Sequence, residues 1–202
     1  MTFSYDAFSA CVADRWQLVI GDPNLTGWAI AAAYAFAAAA AVMVLRLAAF
    51  DPAHRRQKQA LWGLIALLMV ALALNKQLDL QSLMTALGRC LAQEQGWYEN
   101  RRMVQRDFIF GLIAVATLTG AGMYWMLRGT VSQNLLPLLG LAALASFVLI
   151  RAGHLLHTFV PDQMLADFLL HDMSSALEML CPVVILAAAW RLLRLQPLQP
   201  RS

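Results

Sequence analysis

Charged residues are scarce in this chain of 202 residues: Asp, Glu, Lys and Arg make up 13% of it, and hydrophobic residues make up 60%. A soluble domain usually carries about 25% charged residues, and one core of this size cannot bury so much apolar surface. The composition therefore excludes a soluble globular domain, a disordered chain and a disulfide-rich secreted domain. Nucleic acid is also excluded as a partner, because the Lys and Arg residues lie between apolar segments and form no single basic face.

Several enzyme signatures are missing as well. The sequence contains no Gly-x-Ser-x-Gly, no phosphate-binding Gly loop and no His-Glu-x-x-His. It contains no Cys-x-x-Cys, which argues against a quinone-linked thiol oxidase. No cleavable signal peptide is predicted, because the segment before the first apolar run carries Asp6, Asp14, Arg15 and Asp22. The first apolar segment is expected to serve as its own insertion signal.

Long apolar segments, in contrast, are abundant. A spanning helix needs about 20 mostly apolar residues, and five segments are predicted to be spans: residues 27–48, 60–75, 108–127, 135–154 and 166–190. The predicted fold is an all-α integral membrane protein, with residues 1–202 forming one polytopic domain. Because the connection around Pro161 is short, the fourth and fifth spans are expected to form an antiparallel hairpin.

The distribution of Lys and Arg predicts the orientation of these spans. The densest basic loop contains Arg55, Arg56 and Lys58, and its only acid is Asp51. Such loops usually face the cytoplasm. We therefore expect a multi-pass protein of a bacterial inner membrane, with the N-terminus outside and the C-terminus in the cytoplasm.

The polar segment between the second and third spans is predicted to contain an interfacial helix at residues 79–94. Apolar residues recur there at helical spacing, and polar ones lie between them. Asp79 is expected at the N-cap of this helix, where a carboxylate accepts backbone N–H bonds. The alternative is that Asp79 faces a site, pairs with Lys76 and acts as a catalytic base.

Two arginines follow the aromatic pair Trp97-Tyr98. Arg101 and Arg102 have planar guanidinium groups that can clamp a phosphate. They are candidates for binding an anionic lipid or polyprenyl-phosphate headgroup. The alternative is that they reach into the interface and anchor the third span.

These two segments carry a resemblance. Asn-Lys-Gln-Leu-Asp-Leu-Gln at residues 75–81, followed by Gly-Trp-Tyr-x-x-Arg-Arg-x-x-Gln at residues 96–105, resembles a family of small bacterial inner-membrane proteins. The resemblance covers about 30 residues and the Arg-Ala pair at residues 151–152. It implies a membrane location and transfers no catalytic role.

Ionisable residues near the outer ends of the fourth and fifth spans are the strongest functional signal, because such residues are costly inside a membrane. His154, His157 and His171 are expected to meet at the outer end of the hairpin. Imidazole ligands with an open water position are typical of catalytic zinc, and another divalent metal can use the same donors. The sequence thus predicts a metal site at these three histidines.

Glu178 lies on the same helical stripe as Asp167 and His171, about 10 Å deeper than His171 at about 1.5 Å per residue. Glu178 is the candidate catalytic base, and Arg151 and Lys76 are further candidates for ligand binding. A different interpretation is a structural network in which Arg151 neutralises Glu178. A third is a proton or ion pathway.

Two functions therefore remain open from sequence. The first is a metal-dependent hydrolase that acts on a lipid or lipid-linked substrate at the outer leaflet. The second is a non-catalytic subunit or assembly factor that contacts other membrane subunits.

The three cysteines are predicted to divide between two environments. Cys11 and Cys90 both fall on the outer side, where disulfides persist. Their spacing in the sequence does not determine whether they form a disulfide. Cys181 is expected to be a reduced core residue of the fifth span.

Overall fold

The computed structural model describes residues 4–17, 20–154 and 173–195, and every regular element in that part of the chain is helical. There are seven α-helices in these ranges, together with short 3-10 turns at Tyr98–Asn100 and Val131–Asn134. The α-helices are α1 (Tyr5–Arg15), α2 (Leu25–Leu47), α3 (Arg55–Leu78), α4 (Leu80–Glu94), α5 (Arg101–Leu127), α6 (Leu135–His154) and α7 (Met173–Leu195). The predicted all-helical fold is confirmed for these residues.

Four helical stretches of the described chain are long and apolar enough to cross a membrane: Leu25–Leu47, Arg55–Leu78, Arg106–Leu127 and Val131–Leu149. They correspond to the first four predicted spans, and the second is longer than predicted at both ends. The fifth predicted span, residues 166–190, lies partly outside the described residues. Its remainder falls within α7, which continues beyond Trp190 to Leu195.

The core lies between α2, α3, α6 and α7. On α2 the buried positions Ile30, Tyr34, Ala37, Ala41 and Val44 follow a spacing of three and four residues, so they form one face of the helix. The alanines on this face leave room for neighbouring backbones to approach closely, as is common between membrane helices. The Ala-rich sequence of α2 thus explains its central position in the bundle.

Contacts at the two ends of the bundle fix the direction of each helix. Lys76, in the last turn of α3, contacts Glu178 in the second turn of α7. At the opposite end, Lys58 in the first turn of α3 binds Gln133, just before α6. Helix α6 therefore starts at the end where α7 finishes, which makes the two helices antiparallel. The end that holds Lys76 and Glu178 is called the outer end below, and the end that holds Lys58 is called the inner end.

The register of α6 against α7 follows from one close approach. A Cβ atom at Gly140 would lie 2.6 Å from Cδ1 of Ile185, so the side chain of Ile185 packs against the backbone of α6 at this level. Counting outward from this contact along antiparallel helices places Arg151 level with Ser174. Arg151 thus lies about one turn nearer the outer end than Glu178.

Asp79 separates α3 from α4. Its φ of 47° is left-handed, which ends α3 and lets α4 leave in a new direction. The Asp79 carboxylate then accepts a hydrogen bond from the N–H of Ser82 at 3.4 Å. The predicted N-cap is confirmed, and the predicted interfacial helix begins at Leu80.

Helix α1 was not anticipated from the sequence. It packs on α4, and a disulfide between Cys11 and Cys90 joins the two helices with a Cα–Cα distance of 6.0 Å. The structure therefore answers the question that the cysteine spacing left open. Cys181 is reduced and buried, as predicted.

Candidate functional site

Three charged side chains meet at the outer end of the bundle, and they are called the outer cluster below. Nζ of Lys76 lies 2.8 Å from Oδ2 of Asp22, 3.1 Å from Oε1 of Glu178 and 3.2 Å from Oε2 of Glu178. Lys76 belongs to α3, Glu178 to α7 and Asp22 to the loop before α2. The outer cluster therefore joins three separate parts of the chain through one ammonium group.

The members of the outer cluster differ in burial. Glu178 is only 7% exposed, the side chain of Lys76 is 14% exposed, and the side chain of Asp22 is 42% exposed. A buried carboxylate without a counter-charge is strongly unfavourable. The ammonium group of Lys76 therefore stabilises the carboxylate of Glu178 in its buried position. With two carboxylates and one ammonium, the outer cluster has a formal charge of −1.

The backbone of Glu178 is held as well. Pro182 lies inside α7, and because proline has no N–H, the carbonyl of Glu178 loses its usual partner four residues later. The hydroxyl of Tyr34 donates a hydrogen bond to that carbonyl at 3.2 Å. Tyr34 is 1% exposed. Its hydroxyl, on α2, therefore replaces within the core the N–H donor that α7 lacks at Pro182.

The loop before α2 is fitted tightly against the end of α3. The N–H of Gly21 donates to the carbonyl of Gln77 at 2.9 Å. A Cβ at Gly21 would lie 2.8 Å from Cβ of Asp79, and one at Gly27 would clash with Asp22. Glycine at both positions thus allows Asp22 to approach Lys76.

Sequence reasoning missed Asp22 as a site residue. Asp22 was noticed only as a charge that argues against a signal peptide. Its position in the sequence could have indicated this role. In the predicted orientation, Asp22 and Lys76 lie at the outer edges of consecutive antiparallel spans, where their side chains can meet.

One interpretation of the sequence pairs Asp79 with Lys76. In the structure these two residues have different roles. Within the described chain, the carboxylates within 4.0 Å of Lys76 are those of Asp22 and Glu178. Asp79 instead caps α4. The cap interpretation of Asp79 is therefore confirmed. No ion pair between Asp79 and Lys76 is found in the described part of the chain, and a catalytic role for Asp79 stays a prediction.

The remaining predicted site residues are described by their backbones alone or lie outside the described residues. Arg101 and Arg102 begin α5, and Arg151 and His154 lie in the last turn of α6; only the backbones of these four are described. His157 and His171 lie outside the described residues. The expected pairing of Arg151 with Glu178 stays a prediction, although Glu178 already has Lys76 as a counter-ion.

The structure does not assemble the predicted metal site within the residues it describes. In residues 4–17, 20–154 and 173–195, no group of three His, Cys, Asp or Glu side chains is placed to hold a metal ion. Because two of the three candidate histidines lie outside these ranges, the predicted metal site stays a prediction.

Comparison with known proteins gives no match to a protein family, to a curated protein or to a solved structure. The function is therefore inferred from the residues themselves.

Proposed function

We propose that this chain is a five-span protein of a bacterial inner membrane and a metal-dependent hydrolase of a lipid or lipid-linked substrate at the outer leaflet. In this proposal the N-terminus is outside and the C-terminus is in the cytoplasm. Helix α7 is the described part of the fifth span, and α4 lies in the outer interface. The histidines and arginines predicted from sequence then belong to one outward-facing site.

The observation that carries the proposal is the buried carboxylate of Glu178 at the outer end of the bundle. Ionisable residues inside membrane proteins are costly, and they commonly mark functional sites. Glu178 lies next to the ends of α3 and α6, where Lys76 and Arg151 are found, and Tyr34 and Lys76 hold both its backbone and its side chain. A fixed carboxylate of this kind suits a general base, because its position is set before substrate arrives.

The residues then have separate roles. Glu178 is the proposed general base. Because it lies about two turns deeper than His154, the proton would reach it through intervening water, and Lys76 orients the carboxylate through both of its oxygens. Asp79 is the weaker candidate for the base, because its carboxylate already caps α4. Arg101, Arg102 and Arg151 hold the anionic headgroup.

His154, His157 and His171 would hold zinc or another divalent metal. A bound metal of this kind supplies an activated water and a Lewis acid. His154 is at the end of α6, one turn beyond Arg151, so this proposed ligand lies nearer the outer end than Glu178.

The test is the metal content of the purified full-length chain, measured by elemental mass spectrometry. We expect about one divalent metal per chain, as in catalytic sites with three protein ligands. We also expect His171→Ala and His154→Ala to remove most of it. His54→Ala is the matched control, because His54 is the remaining histidine and lies at the inner end. Metal that is absent, or equally retained in all variants, contradicts the hydrolase proposal.

A second candidate is a non-catalytic subunit or assembly factor of a membrane complex. The observation that favours it is the exposure of α5: in its stretch Arg106–Leu127, none of the most apolar window is buried inside the chain. A Cβ at Gly111, Gly120 or Gly122 would meet nothing within 4 Å, and small residues of this kind allow close packing of membrane helices. In this case the outer cluster serves only to fix helix packing, and the metal measurement gives no metal.

A further inference from the structure

A second polar region lies at the inner end of the bundle, opposite the outer cluster. It is a groove of about 570 Å³, and it is called the inner groove below. Its lining residues come from the start of α3 and the end of α5: His54, Gln57, Trp125, Met126, Arg128 and Gly129. A hydrogen bond from Lys58 to Gln133 at 2.8 Å joins the start of α3 to the 3-10 turn Val131–Asn134 that follows α5.

The lining of the inner groove combines a basic edge with an apolar wall. The guanidinium of Arg128 lies 5.7 Å from the centre of the Trp125 ring. Nδ1 of His54 lies 3.1 Å from Oε1 of Gln57, which orients the imidazole and leaves Nε2 for another partner. None of the lining residues is acidic. The groove therefore offers cationic and hydrogen-bonding groups next to a large aromatic surface.

The surroundings of the inner groove favour a lipid over a free anion. Trp125 is 70% exposed, and the α5 surface above it is apolar and unburied, so acyl chains can lie along it. Tryptophan is common at the headgroup level of membranes. Arg55 and Arg56 begin α3 next to the groove and add positive potential there. Basic pockets between membrane helices on the cytoplasmic side are known to bind anionic lipid headgroups.

We infer that the inner groove binds the phosphate headgroup of an anionic phospholipid from the leaflet at the inner end. Arg128 binds the phosphate with its planar guanidinium. Because Nδ1 of His54 donates to Oε1 of Gln57, Nε2 of the neutral ring accepts a hydrogen bond from a hydroxyl of the headgroup. Trp125 and Met126 contact the glycerol and the upper part of the acyl chains. This site is separate from the outer cluster, so its existence does not depend on the proposed hydrolase activity.

The experiment is a titration of the purified full-length chain in detergent with phosphatidylglycerol, followed by native mass spectrometry. We expect one tightly held lipid per chain and a weaker interaction with phosphatidylcholine. Arg128→Gln should weaken phosphatidylglycerol binding about tenfold or more, because a hydrogen bond to a charged group is lost. Arg128 is exposed, so the variant should keep the melting temperature of the parent.

Arg194→Gln is the matched control. Arg194 also lies over a tryptophan at the inner end, 4.1 Å from the ring centre of Trp190, but it is not among the residues that line the groove. Equal weakening by the two variants overturns the proposal, since it indicates diffuse surface charge. Equal binding of phosphatidylcholine overturns it too. Displacement of the lipid by millimolar inorganic phosphate would show a free-anion site instead of a lipid site, which also overturns it.

Discussion

Replacing Lys76 with Met should lower the free energy of unfolding by about 3–5 kcal/mol, the usual cost of leaving a buried charge without its partner. The reason is the position of Glu178, which is 7% exposed and has both carboxylate oxygens within 3.2 Å of Nζ of Lys76. The measurement is thermal or denaturant unfolding of the purified chain in detergent.

Two further variants make this prediction specific. The double variant Lys76→Met with Glu178→Leu should recover most of the loss, because it removes both charges from the core. Asp22→Asn should cost only about 1 kcal/mol or less, because the side chain of Asp22 is 42% exposed and exposed ion pairs contribute little. Losses that simply add in the double variant would contradict the pairing.

The same approach distinguishes Lys76 from Arg151, the partner that the sequence predicted for Glu178. A double-mutant cycle between Glu178→Gln and Lys76→Met should show strong coupling. A cycle between Glu178→Gln and Arg151→Met should show weaker coupling, because Arg151 lies about one turn nearer the outer end. Stronger coupling to Arg151 would identify it as the main counter-ion.

Replacing Tyr34 with Phe should lower the free energy of unfolding by about 1–3 kcal/mol, the cost of leaving a buried carbonyl without a donor. The hydroxyl of Tyr34 donates to the carbonyl of Glu178 at 3.2 Å, and Pro182 leaves that carbonyl without its helical partner. The loss should appear as a lower melting temperature with the helical content retained.

Pro182→Ala provides the control for this second prediction. Alanine restores an N–H four residues after Glu178, so α7 can satisfy the carbonyl within the helix. In the Pro182→Ala background, Tyr34→Phe should therefore cost clearly less than in the parent chain. An equal cost in both backgrounds would show that the Tyr34 hydroxyl does not replace the missing helical hydrogen bond.

The four long apolar helices and the cap of α4 were predictable because each depends on local sequence. Apolar length identifies a span, and Asp79 before an amphipathic repeat identifies a helix start. The outer cluster depends on which helices are neighbours, since Lys76 and Glu178 are 102 residues apart. Hydropathy does not show this, because a helix face that meets lipid is as apolar as one that meets another helix.

The predicted pairing of Arg151 with Glu178 shows that a single sequence does not determine which helices supply the partners of a buried charge. The sequence favours Arg151 because a short connection is expected to make α6 and α7 neighbours, and the two helices do pack together. Nothing in the sequence indicates that the end of α3 lies near the start of α7. Both helices pack on α2, and there Lys76 reaches Glu178. Helix α1 was missed for another reason: it is short and has no long apolar run, and cysteine spacing does not reveal a Cα–Cα distance.

In the proposed topology, the outer cluster and the predicted metal site face away from the cytoplasm. Fusions of a reporter that is active only outside the cytoplasm, placed after Lys58 and after Gln95, measure this directly. We expect an inactive reporter at Lys58, in the densest basic loop, and an active one at Gln95, just after α4. An active reporter at Lys58 and an inactive one at Gln95 would contradict this topology and place the outer cluster on the cytoplasmic side.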